Sequence, residues 1–256
     1  MKVIILAGGY GTRLGNITEA IPKPMVKIGN KPILWHIMKI YASYGYKDFI
    51  LSLGYKAEII KEYFYNYNAY SNDYTIDLGS KEITKLRNHD ESDWSVTLVD
   101  TGIDTLKGAR VKRIEEHLDD VNMLTYGDGV ADIDIEKLVK LHNSHDKIVT
   151  ISGVHPPARF GEIIEENGRL ISFEEKPQTS IGLINGGFMV FDKKLLQYLN
   201  TNEKCDLEYG PFDVLAKEEQ IMVYKHTGKW ECVDTERDLK HLNKLWDDKN
   251  AFWKNW

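Results

Sequence analysis

The amino-acid sequence predicts an α/β fold, with a Rossmann-like, mostly parallel central sheet, helices on both faces of the sheet and one β-rich insertion. Short apolar runs that suit buried strands alternate along the chain with segments that have the apolar spacing of helices. The alternation is interrupted at about residues 68–118, where polar and charged residues surround a single short strand. Ligands of such sheets bind at the carboxyl ends of the strands, where the first loop of this chain lies.

The predicted elements follow one another in a regular order. Val3–Ala7 is a continuous apolar run, which is typical of a strand buried on both faces, and it leads directly into a glycine-rich turn. The later segments have either helical spacing or short apolar runs. We interpret them in chain order as a helix at Ile33–Tyr44, a strand at Asp48–Leu53, a helix at Glu58–Tyr67, a strand at Val121–Tyr126, a helix at Ile133–His142 and a strand at Ile148–Val154.

Three segments depart from this alternation. Within the insertion, Ser95–Val99 is a short strand that we assign to a flap. Asn167 and Gly168 lie near the centre of Gly161–Phe173 and predict a β-hairpin, because this dipeptide favours the tight turn between two paired strands. The tail, at about residues 239–256, either packs back on the core or forms a subunit interface, because it would be costly to leave four aromatic side chains in water: Trp246, Phe252, Trp253 and Trp256.

Composition restricts the class of protein. The chain has 256 residues, of which 42% are hydrophobic and 28% are charged, so we expect a single globular domain over residues 1–256. The net charge of −6 argues against binding to nucleic acid or to an anionic membrane, since both require basic surfaces. No apolar stretch approaches the roughly 20 residues that span a bilayer, so we expect a cytoplasmic protein. Cys205 and Cys232 are far apart and are expected to be free thiols.

The turn after the first strand predicts a nucleotide site. Gly8–Arg13 reads Gly-Gly-Tyr-Gly-Thr-Arg, and Lys23 follows between Pro22 and Pro24. Glycines let backbone N–H groups approach a phosphate closely, and the guanidinium of Arg13 is a fork of donors for phosphate oxygens. Lys23 adds a point charge on a segment that two prolines make stiff.

Two better-known phosphate motifs do not fit this turn. A dinucleotide-binding fingerprint would need a third glycine near Leu14, and a P-loop would end in Gly-Lys-Ser or Gly-Lys-Thr. The remaining alternative is an ordinary glycine turn after a strand. The combination of glycines, Thr12, Arg13 and the Pro-Lys-Pro segment favours the nucleotide site.

Asp128 is a candidate metal ligand. It lies between two glycines, directly after the apolar run Val121–Leu124, where its carboxylate is free of neighbouring side chains. Mg²⁺ prefers one or two carboxylates together with phosphate oxygens and water. The alternative is a turn aspartate, since Asp is common in turns for its own hydrogen bonds.

The stretch LAGGYGTRL, followed by PKPMVKIGNKPIL, resembles the signature of the sugar-nucleotidyltransferases, also called nucleoside diphosphate-sugar pyrophosphorylases. The resemblance implies a nucleotidyltransferase domain whose first loop surrounds a nucleotide base and its triphosphate. It also implies that Asp128 and Asp234 share a Mg²⁺ ion, and that these two residues act in catalysis with Arg13 and Lys23. Asp238 is close to Asp234 in the sequence, and only the resemblance distinguishes them.

Later segments indicate one branch of that family. The stretches DTGIDTLKGARVKRI, TYGDGVAD, PPARFGE and INGGF are similar to members that transfer a cytidylyl group from CTP to glucose 1-phosphate. That similarity implies CDP-glucose and pyrophosphate as products and a role in O-antigen supply, and we also expect a homo-oligomer. It implies a set of nucleotide-binding residues that begins in the first strand and continues to the Gly-Asp-Gly segment: Leu6, Ala7, Gly8, Gly9, Tyr10, Gly11, Thr12, Arg13, Lys23, Thr105, Arg110, Tyr126 and Gly127.

The resemblance also implies a sugar-phosphate site. Glu175 and Lys176 belong to an EKP segment that holds the sugar and its phosphate in the family, and Asn185 and Gly186 belong to a segment that lines the sugar pocket. A charged surface loop is the alternative for the EKP segment. For the whole chain, a uridylyl- or thymidylyltransferase and a non-catalytic sugar-nucleotide binder remain alternatives.

Overall fold

A computed structural model describes residues 1–85, 89–156, 162–174 and 182–256. Its largest feature is a seven-stranded sheet, and four two-stranded sheets accompany it. The strands in chain order are β1 Val3–Leu6, β2 Lys27–Ile28, β3 Lys31–Pro32, β4 Asp48–Leu53, β5 Tyr74–Ile76, β6 Ile83–Lys85, β7 Ser95–Asp100, β8 Val121–Tyr126, β9 Gly129–Ala131, β10 Val149–Val154, β11 Glu162–Glu166, β12 Arg169–Glu174, β13 Ile184–Asp192, β14 Ile221–Lys225 and β15 Trp230–Cys232.

The helices alternate with these strands, as the apolar spacing predicts. The predicted helix at Glu58–Tyr67 is divided at Asn66 into two helices. A distorted helical turn, Glu208–Phe212, contains Pro211 and precedes the seventh helix. The α-helices are α1 Asn16–Ala20, α2 Ile33–Ala42, α3 Ala57–Tyr65, α4 Tyr67–Ser71, α5 Lys107–Arg113, α6 Ile135–Asn143, α7 Asp213–Lys217 and α8 Glu236–Asp247, and 3₁₀ turns lie at Thr12–Leu14, Lys23–Met25, Glu115–His117 and Lys193–Tyr198.

The large sheet confirms the prediction of a mostly parallel α/β fold. Its strand order is β14-β10-β13-β8-β1-β4-β7. β1 pairs in parallel with β4 and β8, β4 with β7, and β10 with β14, whereas β13 is antiparallel to β8 and β10. The carboxyl ends of β1, β4, β7 and β8 therefore lie along one edge of the sheet, where ligands bind in such folds.

Helices cover both faces of this sheet. Val3 and Ile5 of β1 face one apolar cluster, which also contains residues of α2, α3 and α6. Ile4 and Leu6 face the other cluster, which contains residues of α5 and α7. Successive side chains of a strand point to opposite faces, so a strand covered on both sides must be apolar throughout. This is why the opening run of the sequence has no polar alternation.

The insertion is shorter than predicted. The stretch Ser95–Asp100 is β7, the edge strand of the large sheet, and it pairs in parallel with β4 from end to end. Only β5 and β6 form a separate antiparallel hairpin in this part of the described chain. The charged and turn-rich residues before β7 interrupt the alternation in sequence, but they do not remove the next strand from the sheet. The predicted flap strand is therefore corrected to a strand of the core.

The predicted hairpin is present between β11 and β12. Asn167 and Gly168 connect the strands with φ angles of +52° and +81°, as a tight hairpin turn requires. In the part of the chain that the structure describes, no helix is long and apolar enough to cross a membrane.

The aromatic tail packs back on the core. Trp253 is fully buried, and its indole Nε1 donates to Nδ1 of His36, 3.3 Å away on α2. Nε2 of His36 lies 3.0 Å from the carbonyl oxygen of Ile28. A carbonyl can only accept and an indole N–H can only donate, so the imidazole is neutral with its proton on Nε2. Trp246 of α8 packs against the same ring, 4.7 Å between centroids.

This buried imidazole makes stability depend on pH. Burial lowers the pKa of His36 from 6.5 to about 4. Between these two values the unfolded chain binds a proton at His36 that the folded chain does not bind. The free energy of unfolding therefore falls as the pH falls through this window, by about 3 kcal/mol in total from this residue.

We expect urea unfolding at pH 7 and pH 4.5 to show this loss in the wild type and a smaller loss in His36→Gln, which cannot titrate. His117→Gln serves as the control, because His117 is partly exposed and lies in the 3₁₀ turn Glu115–His117, beside Glu116. Equal losses in the wild type and in His36→Gln would contradict the assignment.

Candidate active site

The glycine loop, residues Gly8–Arg13, leaves the carboxyl end of β1 and turns at Gly11. The φ angle of Gly11 is +66°, and a Cβ atom there would lie 2.8 Å from Cβ of Lys23, so both the backbone and the space require glycine. Leu14 is buried and anchors the 3₁₀ turn that follows. The outer part of the loop is open to a ligand, because four of its residues are exposed: Gly9, Tyr10, Thr12 and Arg13.

The inner part of the predicted nucleotide segment is covered. Leu6, Ala7 and Gly8 are buried. The carbonyl oxygen of Leu6 accepts a bond from the N–H of Gly127 at 3.1 Å, and the N–H of Ala7 donates to the carbonyl oxygen of Ser52 at 2.9 Å. Leu6 and Ala7 therefore connect the start of the loop to β8 and β4 through backbone hydrogen bonds.

Lys23 is the central cation of the site. Its segment is extended at Pro22 and then enters a 3₁₀ turn, so the ammonium group points toward the carboxyl ends of the strands. Nζ lies 2.7 Å from Oδ2 of Asp128 and 2.7 Å from Oδ1 of Asp234, and the side chain is 12% exposed. Burial alone would lower the pKa of Lys23, but the two carboxylates outweigh burial and raise the pKa above its ordinary value. Lys23 is therefore a permanent positive charge.

The two carboxylates meet because two short strands pair. Asp128 follows β8, and Asp234 follows β15. β15 is antiparallel to β9, with Cys232 opposite Gly129, so the residue before β9 and the residues after β15 lie side by side. The carbonyl oxygen of Asp128 also accepts a bond from the N–H of Val233 at 2.9 Å. Residues 106 positions apart in the sequence thus share one cation.

Arg13 extends this ion pair toward solvent. Its guanidinium binds the carboxylate of Asp234, and its side chain is 71% exposed. Burial would raise the pKa of Asp234, but Lys23 and Arg13 outweigh burial and hold the pKa below its ordinary value. The loop is therefore linked to the carboxylate pair, while the exposed guanidinium remains accessible to a ligand.

Asp238 has a different role from Asp234. Oδ2 of Asp238 accepts bonds from the backbone N–H groups of Asp234 and Thr235, at 3.1 Å and 2.8 Å. The hydroxyl of Thr235 in turn accepts the N–H of Asp238, which completes a capping box at the start of α8. Asp238 is occupied by the backbone, and Asp234 is the carboxylate that faces Lys23.

The carboxylate pair suits a divalent cation. Asp128 and Asp234 both contact the same ammonium nitrogen, so their oxygens are close enough to share one cation. Within the ranges that the structure describes, no group of three or more His, Cys, Asp or Glu residues could hold a metal. Two carboxylates with open positions for phosphate oxygens and water are the donor set that Mg²⁺ prefers, so these residues fit the ion.

Arg110 is a buried support of the loop. Its side chain is 4% exposed and donates to four oxygens, at distances of 2.7–3.0 Å: Leu53 O, Thr101 Oγ1, Gly8 O and Ile103 O. A Cβ atom at Gly8 would lie 2.2 Å from the guanidinium, and one at Gly54 would lie 2.5 Å from it. Direct contact between Arg110 and a nucleotide stays a prediction, since these donors are already engaged by the protein.

Thr105 is also engaged within the protein. It is 5% exposed, and its hydroxyl accepts a bond from Nη1 of Arg113 at 2.8 Å. The same Nη1 donates to the carbonyl oxygen of Thr101 at 2.7 Å. Tyr10, in contrast, projects from the loop, packs its ring 5.0 Å from that of Tyr55 and donates to Asp104 at 2.5 Å. Of the two aromatic residues among the predicted nucleotide residues, Tyr10 is the exposed one.

Tyr126 lies on the opposite flank of β8 from the glycine loop. Its hydroxyl donates to the carboxylate of Glu208 and accepts a bond from Nδ2 of Asn185 at 3.2 Å. Gly187 has a φ angle of +81°, and a Cβ atom there would lie 2.6 Å from the Tyr126 ring. The carbonyl oxygen of Gly186 accepts the indole N–H of Trp230 at 2.7 Å. The predicted sugar residues Asn185 and Gly186 therefore adjoin Tyr126.

Sequence reasoning missed several supporting residues. Gly54, Thr101 and Arg113 hold Arg110 or Thr105 in place, and Glu208 binds Tyr126. Gly54 directly follows the predicted strand at Asp48–Leu53, so its position at a carboxyl end was a usable signal. The others have no motif of their own. The predicted residues Glu175 and Lys176 lie outside the described residues.

Comparisons with known proteins identify relatives of this chain. Residues 2–248 match the family model Nucleotidyl transferase. A glucose-1-phosphate cytidylyltransferase from Salmonella typhi is 43% identical over 258 residues, which cover 100% of each chain. A D-glycero-alpha-D-manno-heptose 1-phosphate guanylyltransferase from Aneurinibacillus thermoaerophilus is 33% identical over 221 residues, which cover 85% of each chain.

Among solved structures, a Bacillus anthracis protein in complex with a sucrose has a TM-score of 0.68, with 20% identity over 100% of this chain and 97% of that chain. This likeness shows the fold, since the identity is low. The family match over nearly the whole chain and the relative that is similar from end to end lead to one conclusion: the chain belongs to the nucleotidyl transferase family.

Proposed function

We propose that this chain transfers the cytidylyl group of CTP to glucose 1-phosphate and releases pyrophosphate, so that the product is CDP-glucose. One observation supports the reaction class above all others: Lys23 is held between Asp128 and Asp234 beside an open glycine loop. The choice of substrates is supported by the full-length similarity to the Salmonella typhi enzyme, at 43% identity.

The reaction requires one displacement at phosphorus. An oxygen of the glucose 1-phosphate phosphate attacks the α-phosphorus of CTP, one P–O bond forms, and the bond to the pyrophosphate leaving group breaks. The substrate supplies its own nucleophile, so the protein contributes position and charge instead of a covalent intermediate. The site described above supplies both, since its charged groups are fixed before a substrate arrives.

Each charged residue has a definite task in this proposal. Lys23 stabilises the charge that develops on the α-phosphoryl oxygens. Arg13 and Thr12, with the backbone N–H groups of the exposed loop, hold the β- and γ-phosphates and stabilise the departing pyrophosphate. Tyr10 and the other loop residues surround the nucleotide, and Arg110 and Thr105 keep the loop in position. Lys23 and Arg13 are favourable partners for phosphate because both remain positively charged.

Asp128 and Asp234 would hold a Mg²⁺ ion in this proposal. When bound, the ion would neutralise charge on the phosphate oxygens and help to orient them. Each carboxylate has two oxygens. One oxygen can accept the hydrogen bond from Lys23 and keep the ammonium group in place, while the other would be available to the ion.

On the β13 side of β8, Asn185 and Gly186 are proposed to line the sugar pocket. Glu175 and Lys176 are proposed to bind the sugar and its phosphate, on the basis of the motif alone. A homo-oligomer and a cytoplasmic location stay predictions.

The nucleotide is tested with a panel of CTP, UTP, dTTP, GTP and ATP, each with glucose 1-phosphate, by measuring pyrophosphate release and the mass of the product. We expect CTP to have the highest kcat/KM, by roughly tenfold or more. A uracil in a pocket built for the cytosine amine leaves a buried acceptor unpaired, at a cost of about 1–3 kcal/mol. A preference for GTP would favour the activity of the guanylyltransferase relative, and binding without pyrophosphate release would favour a non-catalytic binder.

Lys23→Ala tests the proposed transition-state role. We expect kcat to fall roughly 10²–10³-fold, because a preorganised charge is removed from the reacting phosphorus, while KM for CTP changes little. Steady-state kinetics with CTP varied at saturating glucose 1-phosphate measures the split. Lys27→Ala is the control, since Lys27 is an exposed lysine on the next strand. A rise in KM with kcat intact would contradict the role.

The aspartates are tested as a pair. Asp234→Ala should lower kcat roughly 10²-fold or more and weaken Mg²⁺ binding to the CTP complex, measured by calorimetry. Asp238→Ala should retain most of kcat and lose about 1 kcal/mol of stability, since it removes a helix cap. Urea unfolding measures the second effect. The reverse pattern, with Asp238 essential for Mg²⁺ binding and Asp234 dispensable, would contradict the assignment of the metal ligand.

A further inference from the structure

Glu208 occupies a position that the proposed mechanism does not use. It begins the distorted turn before α7, and its carboxylate accepts the hydroxyl proton of Tyr126. Its other oxygen lies 2.6 Å from Nζ of Lys107, the first residue of α5. Glu208 is therefore held from two sides, by a phenol from β8 and by an ammonium group from α5. No sequence motif singled it out.

This contact determines what the Tyr126 hydroxyl can do. A hydroxyl has one proton, and that proton is given to a charged acceptor, which is the stronger kind of hydrogen bond. Asn185 already donates to the same oxygen, at 3.2 Å. A ligand group beside this oxygen must therefore be a donor, as the hydroxyl groups of a sugar are.

The Tyr126 side chain lies beside β13, the strand that carries the proposed sugar residues Asn185 and Gly186. β8 lies between β1 and β13 in the sheet. The glycine loop follows β1, whereas the Tyr126 ring fills the space that a side chain at Gly187 of β13 would occupy. Asn185 and the Trp230-capped carbonyl of Gly186 border the same space. The Tyr126 hydroxyl thus lies on the β13 side of β8.

α5 supports both flanks independently. Lys107 at its start contacts Glu208, while Arg110, three residues later, donates to the carbonyl oxygen of Gly8 in the glycine loop. Arg110 makes three other hydrogen bonds, to oxygens of Leu53, Thr101 and Ile103. The nucleotide loop therefore does not depend on Glu208, and loss of Glu208 should affect one flank alone.

We propose that Glu208 is a positioning residue for the sugar phosphate: through the Tyr126 hydroxyl, it sets the hydrogen-bonding surface on which the sugar hydroxyls of glucose 1-phosphate bind. The inference rests on the proposed function for the identity of the sugar phosphate. It does not depend on which nucleotide is used, because the network lies on the β13 side of β8.

The test is Glu208→Gln, which keeps the shape of the side chain and removes its charge. We expect KM for glucose 1-phosphate to rise roughly tenfold, with KM for the nucleotide changed less than about twofold. Tyr126→Phe should show the same split. The double variant should raise KM for glucose 1-phosphate no more than the more strongly affected single variant does, since the two residues act as one unit. The matched control is Glu203→Gln, which should behave as the wild type. Glu203 is an exposed glutamate that precedes the distorted turn.

Lys107→Met is a second route to the same answer if Glu208→Gln fails to fold. It removes the ion pair that holds Glu208 and leaves Tyr126 intact, so it should raise KM for glucose 1-phosphate by a smaller factor. A parallel rise in both KM values, an unchanged KM for glucose 1-phosphate, or additive effects in the double variant would overturn the proposal. If the wild type prefers another nucleotide, the proposed function fails but the same split is measured with that nucleotide. If there is no turnover, calorimetric titration of glucose 1-phosphate into wild type and Glu208→Gln decides.

Discussion

The contact of one ammonium group with two carboxylates is the interaction on which the site depends. Lys23 bonds Asp128 and Asp234 at 2.7 Å each, and Arg13 adds a second cation at Asp234. Without a cation between them, the two carboxylates would repel one another. The contact joins the segment after the first loop, the end of β8 and the end of β15. Two positive and two negative groups then balance, so the site is preorganised without excess charge.

A second constraint acts beneath this site. The guanidinium of Arg110 is buried, and it donates to four oxygens of the described chain that replace its water. A buried charge is tolerated only when its hydrogen bonds are satisfied, so this arrangement is rigid. It also explains two glycines, because a side chain at Gly8 or Gly54 would occupy the place of the guanidinium. The shape of the glycine loop is thus set from below by a residue that lies about 100 positions away in the sequence.

The residues around the carboxylate pair fall into two groups, one on the β1 side of β8 and one on the β13 side. On the β1 flank, the exposed loop and its cations suit a phosphate chain. On the β13 side, the Tyr126 hydroxyl, the Asn185 amide and the Gly186 carbonyl are proposed to bind the sugar, and Glu208 accepts the hydroxyl proton of Tyr126. The carboxylate pair lies at the boundary.

Local patterns predicted a large part of this structure. The apolar run Val3–Ala7 and the glycines after it indicate a doubly buried strand and a phosphate loop, because both depend on neighbouring residues alone. The Asn167-Gly168 hairpin is predictable for the same reason. The sequence assigns the strand at Ser95–Val99 to a flap, because nothing in its own residues states which strand it pairs with, whereas in the structure it pairs with β4.

The sequence by itself determined the fold class and the glycine loop, and it marked Lys23 and Asp128 as candidates, since each of these features is set by its immediate neighbours. Local sequence does not distinguish Asp234 from Asp238, and the tertiary structure shows where each of them lies. The two residues have similar local surroundings, but the pairing of β15 with β9 carries one to Lys23, whereas the other caps α8. The positions of the tail and of the Arg110 side chain also depend on the tertiary structure. Whether Trp253 meets His36, and whether a guanidinium meets carbonyls or solvent, depends on contacts between distant segments, which local sequence does not encode.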